Sequence, residues 1–151
     1  MGESRLRVAV MGGGSWATGI AKIVMDNEPE MIWYMRRQEQ IDEFMRTSRN
    51  PSYLSSVKFD IDRIHFTSKI NQAVKNADVL IFATPSPFLK QHLKKLRLRL
   101  DSKIVVSAIK GIVPDENMVV SESFHQVYSI PFEQIAVLSG PCHAEEVALE
   151  R

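Results

Sequence analysis

The feature that most constrains this chain is a turn. Gly12-Gly13-Gly14-Ser15-Trp16-Ala17 stands between an apolar run at residues 6–11 and a stretch with helical periodicity. The apolar run is near-continuous rather than alternating, so it predicts a strand covered on both faces, as in a parallel sheet. The spacing Gly12-x-Gly14-x-x-Ala17 is a form of the glycine fingerprint that holds a pyrophosphate at a helix N-terminus. Gly12 allows the tight turn, Gly14 has no side chain to keep a phosphate from the backbone, and Ala17 is small enough for the helix to pack closely on its strand. Glycines also build ordinary turns, so the rest of the chain has to give this one its meaning.

Strand and helix signals alternate along the whole sequence, the mark of βαβ units. Strands are predicted at residues 6–11, 30–35, 64–67, 78–83, 103–108 and 134–138. The helix after the glycine turn carries Trp16, Ile20, Ile23 and Val24 on one side and fades at residues 26–29. Further helices are predicted over residues 38–46, burying Ile41, Phe44 and Met45, and over residues 70–75. Another spans residues 88–100 with Leu89, Leu93, Leu96 and Leu100 at helical spacing, and the last enters at residues 113–116 and runs to about residue 127. Residues 50–56 form a loop, and Pro85 and Pro87 stop the strand before them. Trp33 and Phe82 belong to the core. His92 is placed at the surface, and His65 and His125 show no partner pattern.

The expected fold is therefore α/β, a Rossmann-like, doubly wound, mostly parallel sheet. In such sheets ligands bind beyond the carboxyl ends of the strands. The irregular, chemistry-bearing pieces all fall there: residues 12–15, 36–37, 84–87, 110–111 and 139–144.

Composition narrows the function. The 151 residues suit one domain, and 44% hydrophobic with 25% charged residues excludes a disordered chain. A formal net charge of +1 gives no global field for nucleic acid or a membrane surface. Lys90, Lys94, Lys95, Arg97 and Arg99 read as the solvated face of a helix with a leucine seam. No apolar run reaches the ~20 residues that span a bilayer. The single cysteine, Cys142, allows no internal disulfide framework, and a cytoplasmic location is expected. Cys142 beside His143 is too small a set for a closed zinc site, so no metal is expected.

The residue that reads the adenosine ribose lies about 20 residues past the glycines. An acid there would bind a free 2′-hydroxyl, but this chain has Arg36-Arg37 and no acid until Glu39. A guanidinium fork suits a 2′-phosphate, so NADP(H) is the preferred cofactor, with NAD(H) also accepted. The missing acid counts against a methyltransferase that binds S-adenosylmethionine through a similar turn. Lys110 follows a strand and could stabilise negative charge on a reacting carbonyl oxygen or on a phosphorylated substrate.

Several segments occur in the order found in one family. They are residues 12–18, Asn50-Pro51-Ser52-Tyr53-Leu54, Pro85-Ser86, Ser107-Ala108-Ile109-Lys110-Gly111-Ile112, Ser121-Glu122 and residues 138–148, which read Leu-Ser-Gly-Pro-Cys-His-Ala-Glu-Glu-Val-Ala. On them the chain resembles the amino-terminal part of bacterial NAD(P)-dependent glycerol-3-phosphate dehydrogenase. The resemblance implies hydride transfer between dihydroxyacetone phosphate and sn-glycerol 3-phosphate, supplying glycerol phosphate for membrane lipids. It implies that Ser15, Trp16, Arg36 and, as a second, Arg37 contact the cofactor, that Lys110 meets cofactor and substrate, that Gly140 and Cys142 touch the substrate, and that Ala144 lies against the cofactor. The family departs from this chain at Ala17, usually glycine, at Ser55-Ser56, commonly Pro-Gly, and at Cys142-His143, usually Ser or Thr followed by Phe. It also implies a helical carboxy-terminal domain carrying the catalytic lysine, beyond Arg151. On that reading the chain is an incomplete cofactor domain, inactive alone, and the longer protein is a homodimer. A non-catalytic NAD(P)-binding sensor or partner-recruiting module is the other class that the glycine turn allows.

Overall fold

The computed structural model describes residues 4–109, 112–113, 117–138 and 144–149. Among them eight short strands and six α-helices follow in this order: β1 (Val8–Met11), α1 (Ser15–Asn27), β2 (Met31–Tyr34), α2 (Gln38–Thr47), β3 (Ile64–Thr67), α3 (Ile70–Asn76), β4 (Val79–Phe82), α4 (Ser86–Leu93), β5 (Ile104–Ser107), β6 (Ile112–Val113), β7 (Met118–Val119), α5 (Val120–Tyr128), β8 (Ile135–Val137) and α6 (Ala144–Ala148). Six strands form one parallel sheet in the order β3-β2-β1-β4-β5-β8. From β1 the chain winds outward through β2 to β3, then returns to the other side of β1 at β4. The switch point thus lies between β1 and β4.

Because side chains alternate along a strand, the central strands β1, β2 and β4 feed two cores. Ala9 and Met11, Ile32 and Tyr34, and Leu80 and Phe82 pack with α3, α4 and α5 on one face. Val10, Met31 and Trp33 pack with α1, α2 and Ala148 of α6 on the other. The sheet is doubly wound, as the wholly apolar inner strands β1, β2 and β4 require. Arg63 fixes the far end of α1: its guanidinium donates to the Met25, Glu28 and Pro29 carbonyls at 2.6–2.8 Å, at the negative end of the helix dipole.

The structure departs from the sequence reading where tertiary contacts override local pattern. Ile23 is 46% exposed, because the buried arc of α1 is Ala17, Ile20, Ala21, Val24 and Met25. Met45 is 53% exposed, because α2 turns Gln40, Ile41 and Phe44 inward instead. Leu6 lies outside β1 and is exposed. The helix predicted to residue 100 ends at Leu93. Beyond it Asn71 of α3 captures the backbone, accepting from the Arg97 N–H and donating to the Lys95 carbonyl, so Leu100 reaches the core from irregular chain. That helix begins two residues early, with Pro85 at its N-cap and Pro87 inside its first turn, where a missing N–H costs nothing. The predicted helix entry near residue 113 is instead the antiparallel pair β6–β7, and the helix starts at Val120. No helix among the described residues is long and apolar enough to cross a membrane.

Candidate dinucleotide site

The loop after β1 crosses the loop after β4, and the crossing is tight. Gly12 has φ +135°, and a Cβ there would meet Thr84 Oγ1 at 3.1 Å and the Ala83 carbonyl at 3.3 Å. Both the backbone angle and the approach of residues 83–84 require glycine. Gly13 is enclosed: its Cβ would lie 3.0 Å from Gln40 Oε1 and 3.2 Å from Met35 Cγ. Gly14 is the opposite, with nothing within 4 Å of an added Cβ. It is the N-cap of α1, and the first intrahelical bond is Thr18 N–H to the Gly14 carbonyl at 3.0 Å. The first-turn N–H groups before it have no carbonyl one turn back to bond to.

Consecutive carbonyls of this loop are claimed from inside the protein. The Gly12 carbonyl accepts from Trp33 Nε1 at 2.7 Å. The Gly13 carbonyl accepts from Gln40 Nε2 at 2.8 Å and Asn50 Nδ2 at 3.1 Å. The Gly14 carbonyl accepts from Thr18 Oγ1 at 2.7 Å as well as from the Thr18 N–H. In a trans peptide unit the carbonyl and the following N–H point in opposite directions. Drawing these carbonyls inward therefore turns the N–H groups of Gly13, Gly14 and Ser15 away from the polar network. Such a set of outward N–H groups at a helix N-terminus is an anion-binding concavity.

Ala17 is fully buried in the core cluster that includes Val10, Ala83 and Ala108, as expected of the residue that lets α1 lie close to the sheet. Trp16 is half-buried and donates through Nε1 to the Ala108 carbonyl at 2.9 Å, tying the start of α1 to the end of β5. Gly19 was not singled out in the sequence. A Cβ on it would sit 3.2 Å from the Ala144 carbonyl oxygen, so glycine here lets α6 pack on α1. Half-buried Ala144 is thereby held about one turn along α1 from Ser15.

A cleft of about 390 Å³ opens beside the loop, lined in part by Gly13, Gly14, Arg36, Arg37, Tyr53 and His92. It lies over the carboxyl ends of β1, β2 and β4, at the switch point. Arg36 and Arg37 are exposed there, and neither is ion-paired among the described residues. His92 is not a plain surface residue as expected: α4 turns it half inward, edge-on to Tyr34 with ring centroids 6.0 Å apart. Burial, with the Arg36 charge second, pulls its pKa below the ordinary histidine value, and among the described residues its Nδ1 is buried without a partner. Burial also pushes the Tyr34 hydroxyl upward, opposed by Arg36. His65 and His125 do have partners: His65 Nε2 lies 3.1 Å from Glu30, and His125 Nδ1 lies 2.8 Å from the Ile130 carbonyl.

Of the residues expected in the site, Gly12, Gly14, Ser15, Trp16 and Ala17 surround one helix start, with Arg36 and Arg37 across the cleft. Lys110, Gly140 and Cys142 lie outside the described residues. Sequence reasoning missed the residues that shape the loop, namely Thr18, Trp33, Gln40 and Asn50. The available signals were the family segments at residues 12–18 for Thr18 and 50–54 for Asn50; Trp33 and Gln40 had none. No group of three or more metal-ligating side chains occurs among the described residues.

The family model for the N-terminus of NAD-dependent glycerol-3-phosphate dehydrogenase matches residues 7–151. The chain belongs to this family. It is 37% identical over 147 residues to the glycerol-3-phosphate dehydrogenase [NAD(P)+] of Oceanobacillus iheyensis, a match covering 95% of this chain and 41% of that protein. Against the enzyme of the same name from Corynebacterium kroppenstedtii the identity is 38%, covering 95% and 43%. The chain thus spans about two fifths of the length of these relatives. Among solved structures, glycerol-3-phosphate dehydrogenase from Plasmodium falciparum superposes with a TM-score of 0.83 at 26% identity, covering 98% of this chain and 44% of that one.

Proposed function

We propose that this chain is the cofactor-holding part of an oxidoreductase that interconverts dihydroxyacetone phosphate and sn-glycerol 3-phosphate with NAD(P)H. The observation that carries the reading is the loop at residues 12–14, its carbonyls drawn into the protein and its Gly14 side open to a cleft with two arginines that are unpaired among the described residues. Those features fit a dinucleotide. The N–H groups of Gly13, Gly14 and Ser15 would receive the pyrophosphate, and the open side of Gly14 lets it approach the backbone. Arg36, with Arg37 beside it, would take a 2′-phosphate, which favours NADP(H) over NAD(H).

When bound, the cofactor supplies or accepts a hydride. This chain's part is to hold and orient it: Trp16 anchors the helix start to the end of β5, and Ala144 closes against α1 beside the site. Lys110, Gly140 and Cys142 are assigned the substrate side by family resemblance, Lys110 balancing negative charge on the carbonyl oxygen and phosphate. The catalytic lysine of the family would lie outside these 151 residues, so binding and turnover separate. Glycerol phosphate made this way would feed lipid synthesis in the cytoplasm, and the longer protein would be a homodimer.

Calorimetric titration of the chain with NADPH and NADH tests the reading. Saturable binding of both, tighter for NADPH, is the expected result, with no oxidation of NADPH when dihydroxyacetone phosphate is added. Absence of binding to either dinucleotide would overturn it, and steady turnover would overturn the division of labour.

A further inference from the structure

Asn50 opens the Asn-Pro-Ser-Tyr-Leu motif, to which no function has so far been attached. It lies in the loop between α2 and β3, fully buried and 37 residues from the glycine turn. Its side chain is completely used. Nδ2 donates to the Gly13 carbonyl at 3.1 Å and to Thr18 Oγ1 at 2.9 Å, while Oδ1 accepts from Gln40 Nε2 at 3.2 Å and from the Ser52 N–H at 3.1 Å. Two donor hydrogens and two acceptor sites are the whole inventory of an asparagine amide. Gln40 shares the task, donating to the same Gly13 carbonyl.

A buried amide this well satisfied has no capacity left to bind a ligand itself, and it stands behind the glycine loop. Its effect on a ligand passes through the peptide unit joining Gly13 and Gly14. With the Gly13 carbonyl held by two side-chain donors, the Gly14 N–H is fixed in the outward direction. Thr18, held by Asn50, does the same to the next unit by donating to the Gly14 carbonyl. Without these donors, a glycine-rich loop has the freedom to rotate its peptide planes. Ordering N–H groups before the anion arrives saves their reorganisation at binding.

We infer that Asn50, with Gln40, is a positioning residue for the pyrophosphate: the pair presets the Gly13–Gly14 peptide plane so that the loop meets a diphosphate with its N–H groups already aligned. This rests on the dinucleotide reading above. It assigns the Asn-Pro motif to anion binding rather than to the substrate or to the fold alone.

The test uses ADP as the diphosphate probe, measured by calorimetry on the chain, with melting temperatures recorded for every variant. Asn50→Leu and, as a milder second variant, Gln40→Met are expected to weaken ADP binding about tenfold or less, the loss of a buried hydrogen bond read as affinity. In amide NMR spectra, the ADP-induced shifts of Gly14 and Ser15 should shrink in the same variants. Phe124→Leu, in the core on the opposite face of the sheet, serves as the control for lost stability. It should keep ADP affinity within about twofold, since distant sites act independently. Equal loss of affinity in all three variants would make Asn50 merely structural and overturn the inference, as would unchanged ADP binding in Asn50→Leu and Gln40→Met. A wild-type chain that binds no ADP would overturn the dinucleotide reading itself.

Discussion

Among the described residues, two clefts of nearly equal size lie at opposite ends of the sheet, and they differ in how their charges are used. The cleft centred on the amino ends of β1 and β2 is about 380 Å³ and is lined by residues including Arg5, Arg7, Glu28, Glu30 and His65. There Arg5 meets Glu28 at 2.8 Å, Arg7 reaches Asp78, and His65 lies against Glu30. The bond from the Arg7 N–H, ahead of its guanidinium charge, holds the Asp78 carboxyl below its usual range. At the carboxyl end the cleft of about 390 Å³ has Arg36 and Arg37 unpaired among the described residues, and the outward N–H groups of the glycine loop beside them. Volume therefore does not mark the site. Donors without acceptors do, because only they have something to gain from an anion.

The sharpest way to break this comparison is at Gly14. Its φ is −84° and space around it is open, so Gly14→Val should fold with little change in melting temperature. The new side chain would occupy the approach to the N–H groups, and NADPH affinity should fall by about a hundredfold or more. Retained binding in a calorimetric titration would show that the cleft is not the site.

Gly12 should behave in the reverse manner. Gly12→Ala sets a Cβ against Thr84 and Ala83 at a positive φ, so stability should drop by about 2 kcal/mol. Denaturant unfolding measures it. A loss near zero would mean that residues 83–84 yield freely and that the crossing of the two loops is loose.

Arg36→Asp is expected to weaken NADPH about tenfold while leaving NADH nearly unchanged, the difference being one charge-assisted contact to the 2′-phosphate. The matching change at the other cleft, Arg5→Ala, should leave both dinucleotides unaffected and cost less than about 1 kcal/mol, because its ion pair is exposed. If Arg5→Ala weakened dinucleotide binding as much as Arg36→Asp, the contrast between the two ends would collapse.

The smallest effect concerns His92. Its native pKa lies below the ordinary value, so between the two values the unfolded chain binds more protons than the folded one. The neutral ring's contribution is complete above about pH 6.5 and is lost as pH falls through that value toward the native pKa. His92→Gln should therefore flatten the slope of stability against pH just below 6.5, as read from melting temperatures at a series of pH values. An unchanged slope would assign the acid sensitivity elsewhere.

Much of this arrangement was legible in the chain itself. A near-continuous apolar run ending in Gly12-x-Gly14 can be satisfied only by a covered strand and an open turn, and β3 fell where its sequence predicts, at Ile64–Thr67. Alternating strand and helix signals determined a doubly wound parallel sheet, because such strands must be covered on both faces. The place of Arg36 and Arg37 just beyond β2, at the carboxyl end of the sheet, was equally readable, since it follows from the order of strands and helices along the chain.

What only the tertiary structure decided are the matters that depend on long-range partners. Ile23 and Met45 fit the helical spacing of their segments, yet the neighbouring elements chose which arc to bury. Asn71 ended α4 early by capturing the backbone beyond it. Trp33 was readable as core, but not as the donor to the Gly12 carbonyl 21 residues away. Asn50 was readable as a loop residue, but not as the amide behind the glycine turn. The physical reason is common to all of them: periodicity and turn chemistry act over a few residues, whereas a hydrogen-bond partner or a buried arc is set by whatever the completed sheet brings alongside.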